Sequence, residues 1–331
     1  MPTENVDIEK VPRILPPFAA PRAAAAFLAA WLSIVVSAPI ARSQQAPATA
    51  TPSTTSCELT DGEDRTVARV IDGETLVLDG GTELRLIGAL SPRAFDTAGE
   101  ITDWPLADRA REALEQMAAG RTVRLAFAGR RTDRYARLLA HVFVGTGSDR
   151  VWLQGELLKK GLARAYALEG STPCLSDLIA HESIARERAA GLWAETIYAV
   201  RSADDISTLL RLAGTFQIIE GKVANAADVR GTTYINFGED RRQDFTVVLR
   251  PQARRAMTAA GLKPEDLNGR RVRVRGWIER RGGPLIDLPH PDAIELLAHS
   301  ADEADPAATR SDATSTTNRR RTRRTPRPED K

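Results

Sequence analysis

The sequence predicts a mainly β protein with capping α-helices, built as two small OB-like barrels in series. Three observations carry this. Residues 57–195 read as strands, a helix, two more strands and then two helices, which suits a small closed barrel with helices over its ends. Residues 214–298 read as three strands, a helix and two strands, again OB order. Segments unable to build a core flank these blocks: the small, polar linker 44–56 (QQAPATATPSTTS) and a disordered basic tail over 299–331. A chain of 331 residues has room for both barrels and the tails.

Composition narrows the function. The chain has 46 Lys and Arg against 44 Asp and Glu, so any surface for a polyanion must be local. Aromatic residues make up 5%, which argues against a long stacking platform. The four histidines, His141, His181, His290 and His299, show no metal-ligand spacing.

The elements follow in order. Residues 1–43 read as a signal peptide or N-terminal anchor. The apolar run Ala23–Val36 follows Arg22, and Ala41-Arg42-Ser43 offers small residues before Gln44. The expectation is an exported protein, periplasmic or held to the membrane by an uncleaved segment; a buried N-terminal helix is the alternative. Nothing before Cys57 resembles a lipidation signal. In an oxidising compartment Cys57 and Cys174 permit one disulfide, and two unpaired thiols are the other reading. Closing a loop of more than a hundred residues would stabilise by roughly 4–5 kcal/mol on the chain-entropy model.

Arg65–Leu78 alternates with β-branched residues as one strand, turned by Asp79-Gly80-Gly81 into a return over Glu83–Leu90. Pro105 opens a helix to Met117, with Leu106, Ala110, Ala113, Leu114 and Met117 on one face and Gly120 as its stop. Strands Thr122–Ala128 and Leu138–Val144 are joined by the basic loop Gly129–Arg137, and helices over Val151–Lys160 and Leu175–Ala190 close the block. A helical connector, 196–213, leads to strands Phe216–Asn225, Thr232–Phe237 and Phe245–Leu249, a helix Gln252–Ala260, and strands Arg271–Ile278 and Ile294–Leu297. Arg271, Arg273 and Arg275 alternate on one face of their strand, either as a surface for single-stranded nucleic acid or as an ordinary polar outer face.

Four patches then stand out in order: Val70-Ile71-Asp72-Gly73-Glu74-Thr75, Arg85-Leu86-Ile87 with Ser91-Pro92, Arg131-Thr132-Asp133-Arg134-Tyr135-Ala136-Arg137, and Gly191-Leu192-Trp193. Together they resemble the staphylococcal nuclease (thermonuclease) family over about residues 60–195. The resemblance implies a five-stranded barrel of that type and metal-assisted phosphodiester hydrolysis. In that chemistry two aspartates and a backbone carbonyl hold calcium, a glutamate acts on water, and two arginines clamp the phosphate.

Carried over, Arg85 and Arg137 match the arginine clamp, whose planar forks suit phosphate. Glu74 stands at one calcium-ligating aspartate and Asp72 at its supporting neighbour, so both are the metal candidates. Leu90 replaces the second ligating aspartate, Ser91 the threonine that offers its carbonyl, and Arg93 the glutamate. Arg93, Arg134, Tyr135 and Tyr166 join the clamp as candidates for binding phosphate or a base. Calcium wants 6–8 oxygen ligands. A site that trades one carboxylate for an alkyl chain and another for a cation is expected to take phosphate without metal.

The reading is therefore a binder of nucleic acid or another phosphorylated polymer, with hydrolysis lost or strongly weakened and no cofactor. The tail Arg319–Arg327 would add attraction to polyanions or to an anionic membrane surface. Two alternatives stay open. One is a weak calcium-dependent nuclease that swings Asp96 or Glu100 into the vacant positions. The other is a structural or interaction protein of the cell envelope.

Overall fold

Gly73 breaks what the sequence pattern presents as one long strand. A Cβ there would lie 2.1 Å from the Ser91 hydroxyl oxygen and 2.7 Å from the Ala110 methyl, so the chain passes where only glycine fits. The Asp72 carboxylate accepts from the Glu74 N–H at 2.8 Å, an Asx-type turn. The predicted strand Arg65–Leu78 is thus two strands, β1 (Thr60–Asp72) and β2 (Thr75–Leu78), folded back as a hairpin. The Asp-Gly dipeptide was the signal; the β-branched run around it masked the turn.

The computed structural model describes residues 57–93, 96, 104–169, 174–240 and 242–298. The expected leader, linker and arginine tail, with His299 and Glu100, lie outside the described residues. Among those described, no helix is long and apolar enough to cross a membrane.

After β2 come β3 (Glu83–Leu86), β4 (Ala89–Leu90), α1 (Pro105–Ala118), β5 (Thr122–Phe127) and β6 (Leu138–Val144). The sheet runs β3-β2-β1-β5-β6, and β6 returns to pair in parallel with β3, Arg85 opposite Leu139, which closes a five-stranded barrel. β7 (Val151–Trp152) extends β6, α2 (Leu153–Lys159) follows, and β8 (Arg164–Ala165) pairs with β4. α3 (Leu175–Glu187) completes the cap. Leu76, Leu84, Leu125 and Val142 fill the barrel, with Ala110, Leu114 and Leu157 packed on it from the helices. Cys57 and Cys174 form a disulfide across 117 residues.

The connector departs from its helical expectation. It holds a short strand, β9 (Arg201–Ser202), which joins the second sheet, and only then α4 (Ile206–Arg211). The second barrel contains β10 (Phe216–Lys222), β11 (Asn225–Val229), β12 (Thr232–Asn236), β13 (Thr246–Leu249), α5 (Pro251–Ala259), β14 (Arg271–Arg281), β15 (Gly283–Leu288) and β16 (Ile294–Leu296). Its order is β11-β12-β13-β15-β14-β10, with β13 and β15 parallel. Because β10 and β11 are consecutive halves of one bent segment, the sheet closes into a second barrel of the same connectivity as the first. β15 escaped the sequence reading because Pro284 speaks against a strand; the turn at Gly282, at φ 82°, makes it the partner of β14.

The two barrels pack together through the outer face of β10 and β14. There Phe216 lies opposite Trp277, Ile218 opposite Arg275 and Glu220 opposite Arg273. Phe216 and Ile218 bury themselves against Leu90 and Tyr166 of the first barrel. Arg275, with no exposed side-chain surface, pairs with the equally buried Glu182 at 2.8 Å and with Glu295 at 2.5 Å. It also donates to the Ala165 carbonyl at 3.1 Å. Arg273 pairs with Glu220 and Glu295, and Arg271 with Glu220. The alternating arginines do share one face as expected, and there they are engaged in ion pairs and, at Arg275, in the contact between the barrels.

Candidate functional site

A pocket of about 350 Å³ opens on the first barrel, lined by Asp72, Gly73, Glu74, Arg85, Ser91, Pro92, Arg93, Ala107 and Arg137. The β1–β2 hairpin brings Glu74 in, β3 brings Arg85, the segment after β4 brings Ser91 and Arg93, and the residue before β6 is Arg137. Five of the predicted site residues therefore converge: Asp72, Glu74, Arg85, Arg93 and Arg137.

Glu74 is the hub. Its side chain is 3% exposed, Arg85 lies 3.2 Å from Oε1, and Arg93 closes on the same oxygen. The Ser91 N–H donates to Oε2 at 3.1 Å. Both carboxylate oxygens are thus engaged by protein. Asp72 is exposed and spends one oxygen on the hairpin.

Arg137 is aimed by Asp133, a residue the sequence reading passed over. Asp133 accepts from Arg137 Nε at 2.8 Å and pairs with Nη2 at 2.7 Å. Its other oxygen accepts the N–H groups of Tyr135 and Arg137 at 2.8 and 3.1 Å. Burial acts to raise the Asp133 pKa, but these hydrogen bonds outweigh it and hold the carboxyl below its ordinary range. Ala136 takes φ 63° to close the turn. The Asp-x-Tyr spacing is an Asx-turn pattern and was the available signal.

The remaining candidates sit around the pocket without lining it. Tyr135 is 65% exposed on the adjoining loop, with the Arg134 guanidinium 4.7 Å and that of Arg137 5.6 Å from its ring. Tyr166 is buried beneath the pocket with Arg85 5.8 Å from its ring centre. Burial raises its hydroxyl pKa against the pull of Arg85, Arg93 and Arg137. The Tyr166 hydroxyl and Arg85 Nε are both buried without a hydrogen-bond partner.

Leu90 points elsewhere. It is 3% exposed, absent from the pocket lining, and packed with Tyr166, Phe216 and Ile218. Asp96, expected as a replacement ligand, is also committed elsewhere. It accepts from Arg164 Nη2 at 2.9 Å, from the Tyr198 hydroxyl at 2.9 Å and from the Arg93 N–H at 3.1 Å. Arg164 in turn donates to the Phe216 carbonyl of the second barrel at 2.7 Å.

Residues 83–195, which supply Arg85, Arg93 and Arg137, match the family model described as staphylococcal nuclease homologue. That stretch, from β3 onward, is thus similar to staphylococcal nuclease. The chain is 35% identical to the thermonuclease of Staphylococcus intermedius over 107 residues, covering 31% of this chain and 60% of that protein. It is 32% identical to the thermonuclease of Staphylococcus hyicus over 102 residues, covering 30% and 57%. An uncharacterized protein of Methanocaldococcus jannaschii is 26% identical over 146 residues, covering 38% and 70%. The chain thus spans about three fifths of the two thermonucleases it matches.

Calcium, which the family resemblance implies, does not fit this donor set. An ion at Glu74 would have to displace Arg93 and Arg85 from one oxygen and a backbone N–H from the other. The other carboxylate in the pocket lining is the exposed Asp72, and residue 90 brings an alkyl chain that packs against Phe216 and Ile218 of the second barrel. Among the described residues no group of three or more His, Cys, Asp and Glu is placed to hold a metal. The arginines instead keep donors in reserve: Arg137 uses Nε and Nη2 on Asp133, which leaves Nη1, and Arg85 pairs with Glu74 through Nη2, which leaves Nη1. Two forks with spare donors on one pocket suit a phosphate group.

Proposed function

We propose that this nuclease-family protein binds single-stranded nucleic acid at the Arg85–Arg93–Arg137 pocket without calcium and without efficient hydrolysis. The carrying observation is Glu74 closed by Arg85 and Arg93, where relatives of the family would place a metal. The cation the site needs is supplied by the chain itself. A phosphate entering the pocket meets Arg137 and Arg85 and shares them with Asp133 and Glu74. With Arg93 in place of a carboxylate, the lining keeps Glu74, closed by two arginines, and Asp72, tied to the hairpin turn; losing a general base alone costs roughly 10²–10⁴ in rate.

The Cys57–Cys174 disulfide supports an oxidising compartment, and with it the exported location expected of the leader. The test is oligonucleotide binding across a salt series. The parent should bind with strong salt dependence. Arg137→Gln should weaken binding about tenfold and lower the salt slope by about one. A parent that binds no single-stranded DNA or RNA overturns the proposal.

A further inference from the structure

The outward row of β14 ends in a residue the ionic network does not use. Arg271, Arg273 and Arg275 are engaged by carboxylates, but Trp277, next on the same face, remains 44% exposed. It meets Phe216 edge-on at 4.9 Å and Tyr166 edge-on at 6.0 Å. The Tyr166 ring also lies against Arg85, 5.8 Å from its guanidinium. Laid end to end, these contacts put the Trp277 ring no more than about 12 Å in a straight line from the Arg85 guanidinium, across the buried Tyr166 ring.

Trp277 borders a cavity of about 290 Å³ whose walls include Phe216, Glu169, Glu279, Asp287, Pro289 and Arg275, the last ion-paired to Glu182 and Glu295. The chemistry is specific. The indole and phenyl rings suit a flat apolar face. The carboxylates repel a second phosphate but accept N–H donors. Arg281 pairs with Glu279 at 2.7 Å and Arg250 with Asp287 at 2.5 Å, which tempers the charge of those two. A neutral ring with an N–H edge fits such walls, as carboxylates accept from the amino group of cytosine. A cationic side chain would also suit a Trp flanked by carboxylates, but the adjoining arginine pocket disfavours a basic partner.

Resting on the reading above, we propose that the second barrel completes the binding site: the Trp277 cavity takes a nucleobase bearing an exocyclic amino group, from a strand whose phosphate is held by Arg85, Arg93 and Arg137. Aromatic stacking of a base supports about fivefold to a hundredfold in affinity.

The experiment measures binding of deoxycytidylate and thymidylate decamers, and of inorganic phosphate, to the full chain, with tryptophan fluorescence as a second readout. The parent should prefer the cytidylate decamer. Trp277→Ala should weaken it at least fivefold and leave inorganic phosphate unaffected, and Glu169→Gln should reduce the preference over thymidylate. Should Trp277→Ala fail to fold, Glu169→Gln decides alone. Unchanged cytidylate affinity in folded Trp277→Ala, beside a loss in Arg137→Gln, overturns this inference while the arginine site stands. A parent that ignores every oligonucleotide overturns both. Tryptophan quenching by a lysine-rich peptide, competing with no oligonucleotide, assigns the cavity to a cationic partner and also overturns the proposal.

Discussion

Placing at position 90 the aspartate that the nuclease resemblance implies should destabilise this protein. Leu90 is 3% exposed among Tyr166, Phe216 and Ile218, and its cross-strand neighbour Arg164 is already held by Asp96 and the Phe216 carbonyl. Removing the leucine side chain alone costs about 2–5 kcal/mol at such a site. A carboxylate placed there must either stay ionised without a free partner, at several kcal/mol, or take up a proton at pH 7. Raising an aspartate from its ordinary range to neutrality costs about 4 kcal/mol at 1.36 kcal/mol per pH unit. Together Leu90→Asp should lose more than about 4 kcal/mol. For a folded region of this size that lowers the melting temperature by at least about 10 °C.

Calorimetry of the parent, Leu90→Ala and Leu90→Asp reads this directly, and the aspartate variant should be the least stable. A Leu90→Asp protein that melts with the parent, and that calcium then stabilises, would place residue 90 in the pocket and refute the packing argument.

Two further outcomes follow from buried charge. Glu182 accepts from Arg186, from Arg275 and from the Ala165 N–H. Glu182→Ala leaves Arg275 buried without its main partner and should cost about 3–5 kcal/mol in urea unfolding; a change under about 1 kcal/mol would contradict the network. Burial lowers the His141 pKa from 6.5 to about 4. The folded state therefore resists a proton that the unfolded chain accepts. This contribution is whole above pH 6.5 and is lost as the pH falls towards 4, by up to about 3 kcal/mol. His141→Leu should remove that part of the acid sensitivity relative to the parent; parallel stability–pH curves would show His141 to be solvated.

Much of the fold was legible because it is local. Helical spacing of apolar residues gave α1, short apolar runs gave β5 and β6, and the alternating arginines gave β14. What the sequence hid depends on close approach. Gly73 ends β1 because Ser91 and Ala110, distant along the chain, occupy the space of its missing Cβ. Pro284 concealed β15, whose place is set by pairing with β13 and β14.

The arginines of the site were readable from the family resemblance. Their partners were not: Asp133 orients Arg137 through a turn, and Arg93 reaches Glu74 only once the barrel closes. The largest omission was the contact between the two barrels. Read along the chain, Leu90 is a missing ligand and Arg275 a basic strand residue. In the fold both belong to one barrel–barrel contact.

The central claim is that Arg93 and Arg85 take the place of a metal at Glu74. The most direct measurement follows binding and cleavage of a single-stranded decamer by the purified chain, in chelator and then in calcium. The account predicts equal affinity in both, falling with salt, and an intact decamer. Cleavage that requires calcium and disappears in Glu74→Ala would contradict it.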